Sequence, residues 1–204
     1  MLFRMSTENS NKTGIIILAA GNSSRLGRPK QLLEFKKSFL LQNTISEAVS
    51  VTNSNVIVVL GSNKDAIQKE IDLSQTTVVF NQDWELGMST SIVCGLQKLL
   101  EQHPECQRCI IAVCDQPFVT AKVFEDLINE HQKTEKGIAA ASYAETIGTP
   151  VLFHQKYFDI LLEIKGQQGA KKIINSFLED TAAVVFEKGK IDIDTPEDYK
   201  KLLS

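Results

Sequence analysis

Short apolar runs recur along the chain, each followed by a longer stretch of helical period, and this alternation constrains the fold more than any other feature. "GIIILAA" (14–20), "NVIVVLG" (55–61), "TTVVF" (76–80), "RCIIAVC" (108–114) and "GIAAAS" (137–142) read as strands. Their near-continuous hydrophobicity is that of strands covered on both faces. Helical periods run over about 39–51, 64–71, 89–101 and 121–134; in the first, Leu41, Ile45, Ala48 and Val49 share one face. Such alternation predicts right-handed βαβ crossovers and a three-layer α/β fold, a mostly parallel sheet with helices on both faces, Rossmann-like in build. "TPVLFH" (149–154) and "AAVVFE" (182–187) read as later strands, with two helices between them over about 154–163 and 169–178. A last helix starts near Pro196, where "DTPED" supplies a cap, a proline in the first turn and acids beside the helix dipole.

The 204 residues suit a single domain over 14–204 behind a polar, flexible leader over 1–13. A net charge of −3 argues against a general nucleic-acid or membrane-surface binder, so any cluster of positive charge is aimed at a particular anion. No apolar run reaches the ~18 residues of a membrane-spanning helix. "MLFRMSTENSNK" lacks the apolar stretch of a signal peptide, so a cytoplasmic location is expected. His103, Cys106 and Cys109 are spaced His-x-x-Cys-x-x-Cys, but His131 and His154 are isolated and no second ligand pair exists. These residues read as buried thiols near a strand edge rather than a zinc site.

"LAAGNSSRLGRPK", Leu18 to Lys30, opens directly from the β-branched run Ile15-Ile16-Ile17. Ligands of open α/β sheets bind outside the carboxyl ends of the strands, and the first strand is expected to end at Ala20. Gly21 lets backbone N–H groups approach a ligand, Ser23 and Ser24 add hydroxyls, Arg25 and Lys30 add charge, and Gly27 permits the turn between them. A concave set of donors of this kind suits a triphosphate. It is not a Gly-x-Gly-x-x-Gly fingerprint. Nor is it a P-loop, since Gly21 to Gly27 is one residue too long and Arg28-Pro29 follows. Asp115 in "CDQPFVT" is expected at the same edge, either ending the strand before a turn forced by Pro117 or serving as a ligand for Mg²⁺. "NQDWELGMSTSI" (81–92) leads into a helix whose N-terminus faces the ligand; Ser89 and Ser91 read either as pocket groups or as helix caps.

The Leu18–Lys30 stretch resembles the signature of the MobA-like nucleotidyltransferases, roughly Leu-Ala-Ala/Gly-Gly-x-Ser-x-Arg-Met-Gly-x-x-Lys. Leu26 takes the place of the methionine, and "QLLEF" (31–35) continues the match. The resemblance runs from about residue 14 to 203. It implies nucleotide binding by Leu18, Ala19, Ala20, Gly21, Ser23, Ser24, Arg25, Lys30, Gly87, Ser89 and Asp115, with Arg25, Lys30 and Asp115 as the catalytic group. Its Asp-x-Pro element falls on Asp115 and implies the ligand of a catalytic Mg²⁺. Its closing element falls on "DIDTPEDY" (192–199) and implies Asp194 as second metal ligand, although Asp194 also reads as a helix cap. The two carboxylates are then expected within reach of one ion; without a cation they would repel. The implied activity is transfer of a nucleoside monophosphate to a phosphorylated acceptor with release of pyrophosphate. Ala19-Ala20-Gly21 is the form of the molybdenum-cofactor cytidylyltransferase branch, which implies CTP rather than GTP. It also implies a molybdopterin-type acceptor and a recipient molybdoenzyme as further partner. "KGQQGAKKII" (165–174) resembles the acceptor half but carries Gln167-Gln168 where the branch has an acid. The alternatives are a sugar-1-phosphate nucleotidyltransferase, which "GMSTSI" and "GQQGAKKI" disfavour, and a non-catalytic maturation factor that binds cofactor. Retention of Arg25, Lys30, Asp115 and Asp194 together disfavours the second.

Overall fold

The computed structural model describes residues 12–166 and 169–204; most of the expected leader (up to residue 11) and Gln167-Gln168 lie outside the described residues. β1 (Thr13–Ala19) is buried along its whole length. Ile15, Ile17 and Ala19 enter one hydrophobic core, and Ile16 and Leu18 enter the other. Successive side chains of a strand point to opposite faces, so a strand between two cores must be apolar throughout.

A two-residue turn joins β2 (Glu34–Phe35) to β3 (Ser38–Phe39), and α1 (Leu40–Val49) follows at once. The chain then alternates β4 (Ser54–Leu60), α2 (Lys64–Glu70), β5 (Thr77–Phe80), α3 (Met88–Gln102), β6 (Arg108–Val113) and α4 (Ala121–Thr134). β7 (Ile138–Tyr143), β8 (Thr146–His154), α5 (Phe158–Glu163), α6 (Ala170–Ser176), β9 (Thr181–Val185) and α7 (Pro196–Leu203) complete it. The main sheet has the order β5-β4-β1-β6-β8-β7-β9. β1 pairs in parallel with β4 and β6, and β8 runs antiparallel to β6 and β7.

The seven expected strands are all present, within a residue or two except that β8 begins at Thr146 rather than 149. It returns from β7 through Ala144 and Glu145, at φ 46° and 60°. The β2–β3 turn uses Lys36 and Lys37 in the same left-handed region, at φ 53° and 66°. Two-residue hairpins require such angles and normally announce themselves with Asn-Gly or Asp-Gly. Neither turn here carries that signal.

Leu41 and Ile45 of α1, Ile67 of α2 and Phe124 and Leu127 of α4 fill the core on one face of the sheet. Ile92 and Leu96 of α3, Leu161 of α5 and Ile173 of α6 fill the other. α3 lies close because of Gly95: a Cβ there would sit 2.4 Å from Ile16 Cγ2 and 2.8 Å from Val59 Cγ2. Gly95→Ala is therefore expected to lower the urea midpoint although alanine favours helix, because overpacking costs about 1–3 kcal/mol. An unchanged midpoint would show that α3 can move off the sheet without cost.

From β1 the chain moves outward to β4 and β5, then crosses back to β6 on the other side of β1. This reversal leaves a crevice outside the carboxyl ends of β1 and β6, where ligands of such sheets bind. A third small core of Leu33, Leu40 and Ile193, with Leu26, Phe35 and Tyr199 against it, docks the C-terminal segment next to that crevice. Among the described residues, no helix is long and apolar enough to cross a membrane.

Candidate active site

β1 ends at Ala19 and β6 at Val113, with Leu18 beside Val113 in the register. Gly21 and Asp115 lie just beyond these adjacent ends. Asp194 is delivered from the far end of the chain. Ile193 is fully buried, and its backbone N–H donates to the Asp115 carbonyl at 3.0 Å. Thr195 is the cap of α7, exchanging hydrogen bonds with Asp198 in a capping box. The Asp194 carboxylate thus faces the crevice rather than the helix end.

There the Lys30 ammonium donates to Asp115 Oδ2 at 2.7 Å and to Asp194 Oδ1 at 2.6 Å. Arg25 donates to Asp194 Oδ2 at 2.9 Å. Burial alone would lower the pKa of Lys30. The Asp115 charge and the hydrogen bonds to both carboxylates outweigh it and raise the pKa above the ordinary lysine value. Burial pushes Asp194 upward, but the hydrogen bond and charge of Lys30 bring it below the ordinary value.

The loop holds its own shape. Ser23, at φ 55°, accepts the Lys30 backbone N–H on its hydroxyl at 2.9 Å, and its carbonyl accepts from Leu26 at 2.9 Å. Gly27 takes the turn at φ 68°. Ser24 donates its backbone N–H to Asn22 Oδ1 at 3.2 Å. Gln31 is buried, and its amide nitrogen donates to the carbonyls of Ala19 at 2.7 Å and Gly21 at 3.1 Å. Gln116, also buried, donates to Thr149 and Gly189 carbonyls and ties the end of β6 to its neighbours. Sequence reasoning missed both glutamines, since nothing local distinguishes a buried glutamine from a solvated one.

A cleft of about 390 Å³ opens between this loop and the start of α3. Of the expected residues, Leu18, Ala19, Ala20, Gly21, Lys30, Gly87 and Asp115 line it. A Cβ at Gly21 would meet nothing within 4 Å, so the glycine keeps the backbone open to a ligand. Ser23, Ser24, Arg25 and Asp194 do not line it; Ser23 braces the loop and Arg25 reaches Asp194. Gly87, at φ 117°, stands at the N-cap of α3, and neither serine caps the helix. Ser89 is fully buried and donates to the Gly166 carbonyl at 2.6 Å, whereas Ser91 is on the cleft wall. Trp84 and Met88 also line the cleft. The lone tryptophan in a polar strand-to-helix turn was the signal for the first. Lys171 and Lys172 are exposed on α6.

Asp192 stands beside the two site aspartates. Desolvation of its carboxyl, then the charges of Asp115 and Asp194, push it up to about 6 from an ordinary 3.8. An acid whose folded pKa is raised keeps its proton in the fold after the unfolded chain has lost it. Its contribution to stability is therefore present at low pH and lost as pH rises toward 6. Asp192→Asn is expected to raise the urea midpoint, and more at about pH 7.5 than at about pH 5. Because the residue is exposed, solvent screening keeps the effect modest. A gain independent of pH would exclude this origin.

Cys106, Cys109 and Cys114 are buried free thiols, and His103 approaches Glu105 at 3.7 Å. Among the described residues, no three His, Cys, Asp or Glu side chains are grouped to hold a metal ion.

Fold and site together define the class, a three-layer α/β protein with a cleft at the switch point of a mostly parallel sheet. Residues 15–182 match the family model described as MobA-like NTP transferase domain, and the chain belongs to that nucleotidyltransferase family. It is 27% identical over 199 residues to nicotine blue oxidoreductase of Paenarthrobacter nicotinovorans, covering 92% of this chain and 95% of that protein. The crystal structure of a homologue of Mycobacterium tuberculosis Rv0371c, from Mycobacterium sp. strain JC1, superposes with a TM-score of 0.83. It shares 31% identity and covers 94% of both chains. A complex of Rv0371c of M. tuberculosis H37Rv with manganese superposes with a TM-score of 0.77 at 26% identity, covering 95% of this chain and 98% of that one.

Proposed function

We propose that the protein transfers CMP from CTP onto the phosphate of a molybdopterin-type cofactor and releases pyrophosphate. The observation that carries this reading is the meeting of Lys30, Asp115 and Asp194 beside the Gly21–Lys30 loop. An acceptor phosphate oxygen attacks the α-phosphorus in line, and the bond to the leaving pyrophosphate breaks. The attacking phosphate is already ionised near neutral pH, so no general base is needed. The chain's work is positioning and charge neutralisation. Lys30 and Arg25 offset the charge of the β- and γ-phosphates and of the pyrophosphate as it leaves. Trp84 and Met88 wall the cleft.

The donor set fits a divalent metal. Two carboxylates from distant segments already converge on one cation, the Lys30 ammonium. One or two carboxylates plus substrate phosphates is the usual way Mg²⁺ is held. Asp115 and Asp194 would hold it, and the manganese bound by the M. tuberculosis relative supports a divalent cation. When bound, the ion supplies charge neutralisation at the α-phosphate.

Ala20 supports CTP over GTP. It is buried on the cleft wall with Gly61 packed so close that a Cβ there would lie 2.8 Å from the Ala20 Cβ. A wall that cannot retreat favours the smaller base. One methyl group is worth ~1–3 kcal/mol, so the preference is about tenfold or more, and Ala20→Gly is expected to relax it. Comparing kcat/KM for the two nucleotides checks this; equal values in the wild type would refute it.

The deciding assay incubates the protein with molybdopterin, Mg²⁺ and each nucleoside triphosphate and follows pyrophosphate. Release that requires both CTP and molybdopterin supports the proposal. Release with sugar 1-phosphates instead would make this a sugar nucleotidyltransferase. Cofactor binding without release would make it a maturation factor that hands cofactor to a recipient molybdoenzyme. The full-length likeness to nicotine blue oxidoreductase favours one further reading, a redox reaction, which would release no pyrophosphate.

A further inference from the structure

We propose that Lys30 is a built-in counter-cation that closes the divalent-metal site in the ligand-free protein, and that an incoming polyphosphate opens it by drawing the ammonium away. The inference rests on the reading that Asp115 and Asp194 hold the metal. The Lys30 nitrogen lies 2.7 Å from Asp115 Oδ2 and 2.6 Å from Asp194 Oδ1. A divalent ion held by Asp115 and Asp194 would need carboxylate oxygens that the ammonium already occupies. The second oxygen of Asp194 is engaged by Arg25 at 2.9 Å, so Asp194 has both oxygens committed.

Lys30 is held in that position. Its side chain is only 15% exposed, and its backbone N–H is fixed by Ser23. Metal and ammonium therefore compete for the same oxygens and repel each other as well. Lys30 also lines the cleft, so its flexible stem has space to swing into. A polyphosphate there offers charge-assisted acceptors equivalent to the carboxylates being given up. Metal and polyphosphate then bind synergistically, and by linkage each strengthens the other to the same degree.

The test is calorimetric titration of the full chain with Mn²⁺ in the absence of nucleotide. Lys30→Met, which keeps the stem and removes the charge, is expected to bind Mn²⁺ at least about tenfold more tightly than the wild type, the worth of a lost charge-assisted competitor. Arg25→Ala also removes one positive charge, but from a side chain 68% exposed. It is expected to gain no more than about threefold, the scale of an exposed ion pair. If Lys30→Met binds Mn²⁺ no more tightly than the wild type, or Arg25→Ala gains as much, the latch is overturned while the wild-type isotherm still stands for a metal site. If neither wild type nor Lys30→Met binds Mn²⁺ at millimolar concentration, latch and metal site fall together. A wild-type measurement covers the case in which Lys30→Met does not fold. Brief acetylation followed by peptide mass spectrometry is expected to show Lys30 labelling rising with Mn²⁺, relative to Lys122, whose side chain is 78% exposed. Labelling of Lys30 that Mn²⁺ leaves unchanged would contradict the latch.

Discussion

Asp115→Asn is expected to abolish pyrophosphate release and to leave the fold intact. Asparagine has nearly the same shape but no charge, so it holds a hard divalent cation poorly and no longer opposes the Lys30 ammonium. Repulsion between Asp115 and Asp194 alone would make this substitution stabilise the metal-free protein. The structure reverses that expectation, because Lys30 already supplies the cation between them. Removing one of its two partners is expected to cost stability instead, by about 1–3 kcal/mol for a half-buried charged contact. Circular dichroism checks the fold, urea denaturation the stability, and the pyrophosphate assay the turnover. A folded Asp115→Asn protein retaining a sizeable fraction of wild-type turnover would remove Asp115 from the catalytic group. Asp194→Asn is expected to act in the same direction more mildly, since Asp194 is more exposed and Asp192 lies close enough to substitute.

Lys30→Ala is the second large effect. Losing a charge-assisted contact to the triphosphate costs roughly 1.5–3 kcal/mol, so kcat/KM is expected to fall about 10- to 150-fold. The same change removes the cation that Asp115 and Asp194 share and leaves only the exposed Arg25 on Asp194, so the metal-free protein should also melt lower, and Mn²⁺ should restore part of the loss. Lys30→Arg is not expected to rescue activity. The wild-type ammonium is a point charge shared between carboxylates on different segments, whereas a guanidinium presents a planar fork. Unchanged kinetics in a folded Lys30→Ala variant would end the reading of the loop as a phosphate cradle.

Local patterns decided much of this molecule. Strands and helices followed from apolar periodicity, because Ile15 to Ala19 can only be covered on both faces and Leu41, Ile45 and Ala48 can only share one. The cap of α7 was legible too, although Asp194 and Thr195 are both good caps and only the tertiary structure chose Thr195. It chose by burying Ile193 against Leu33 and Leu40, which turns Asp194 toward Lys30.

The choice between Ser89 and Ser91 shows the same limit. Two positions along a helix are about 200° apart, so one serine must face the cleft and the other the interior, but which one depends on how α3 is seated on the sheet. The antiparallel course of β8 also escaped the pattern, since its turn at Ala144-Glu145 takes positive φ with residues that do not advertise it. Periodicity and turn chemistry act over a few residues and are written in the sequence. Strand order, the burial of Gln31 and Gln116, and the meeting of Lys30 with Asp115 and Asp194 depend on contacts between distant segments, which form only when both cores close around β1.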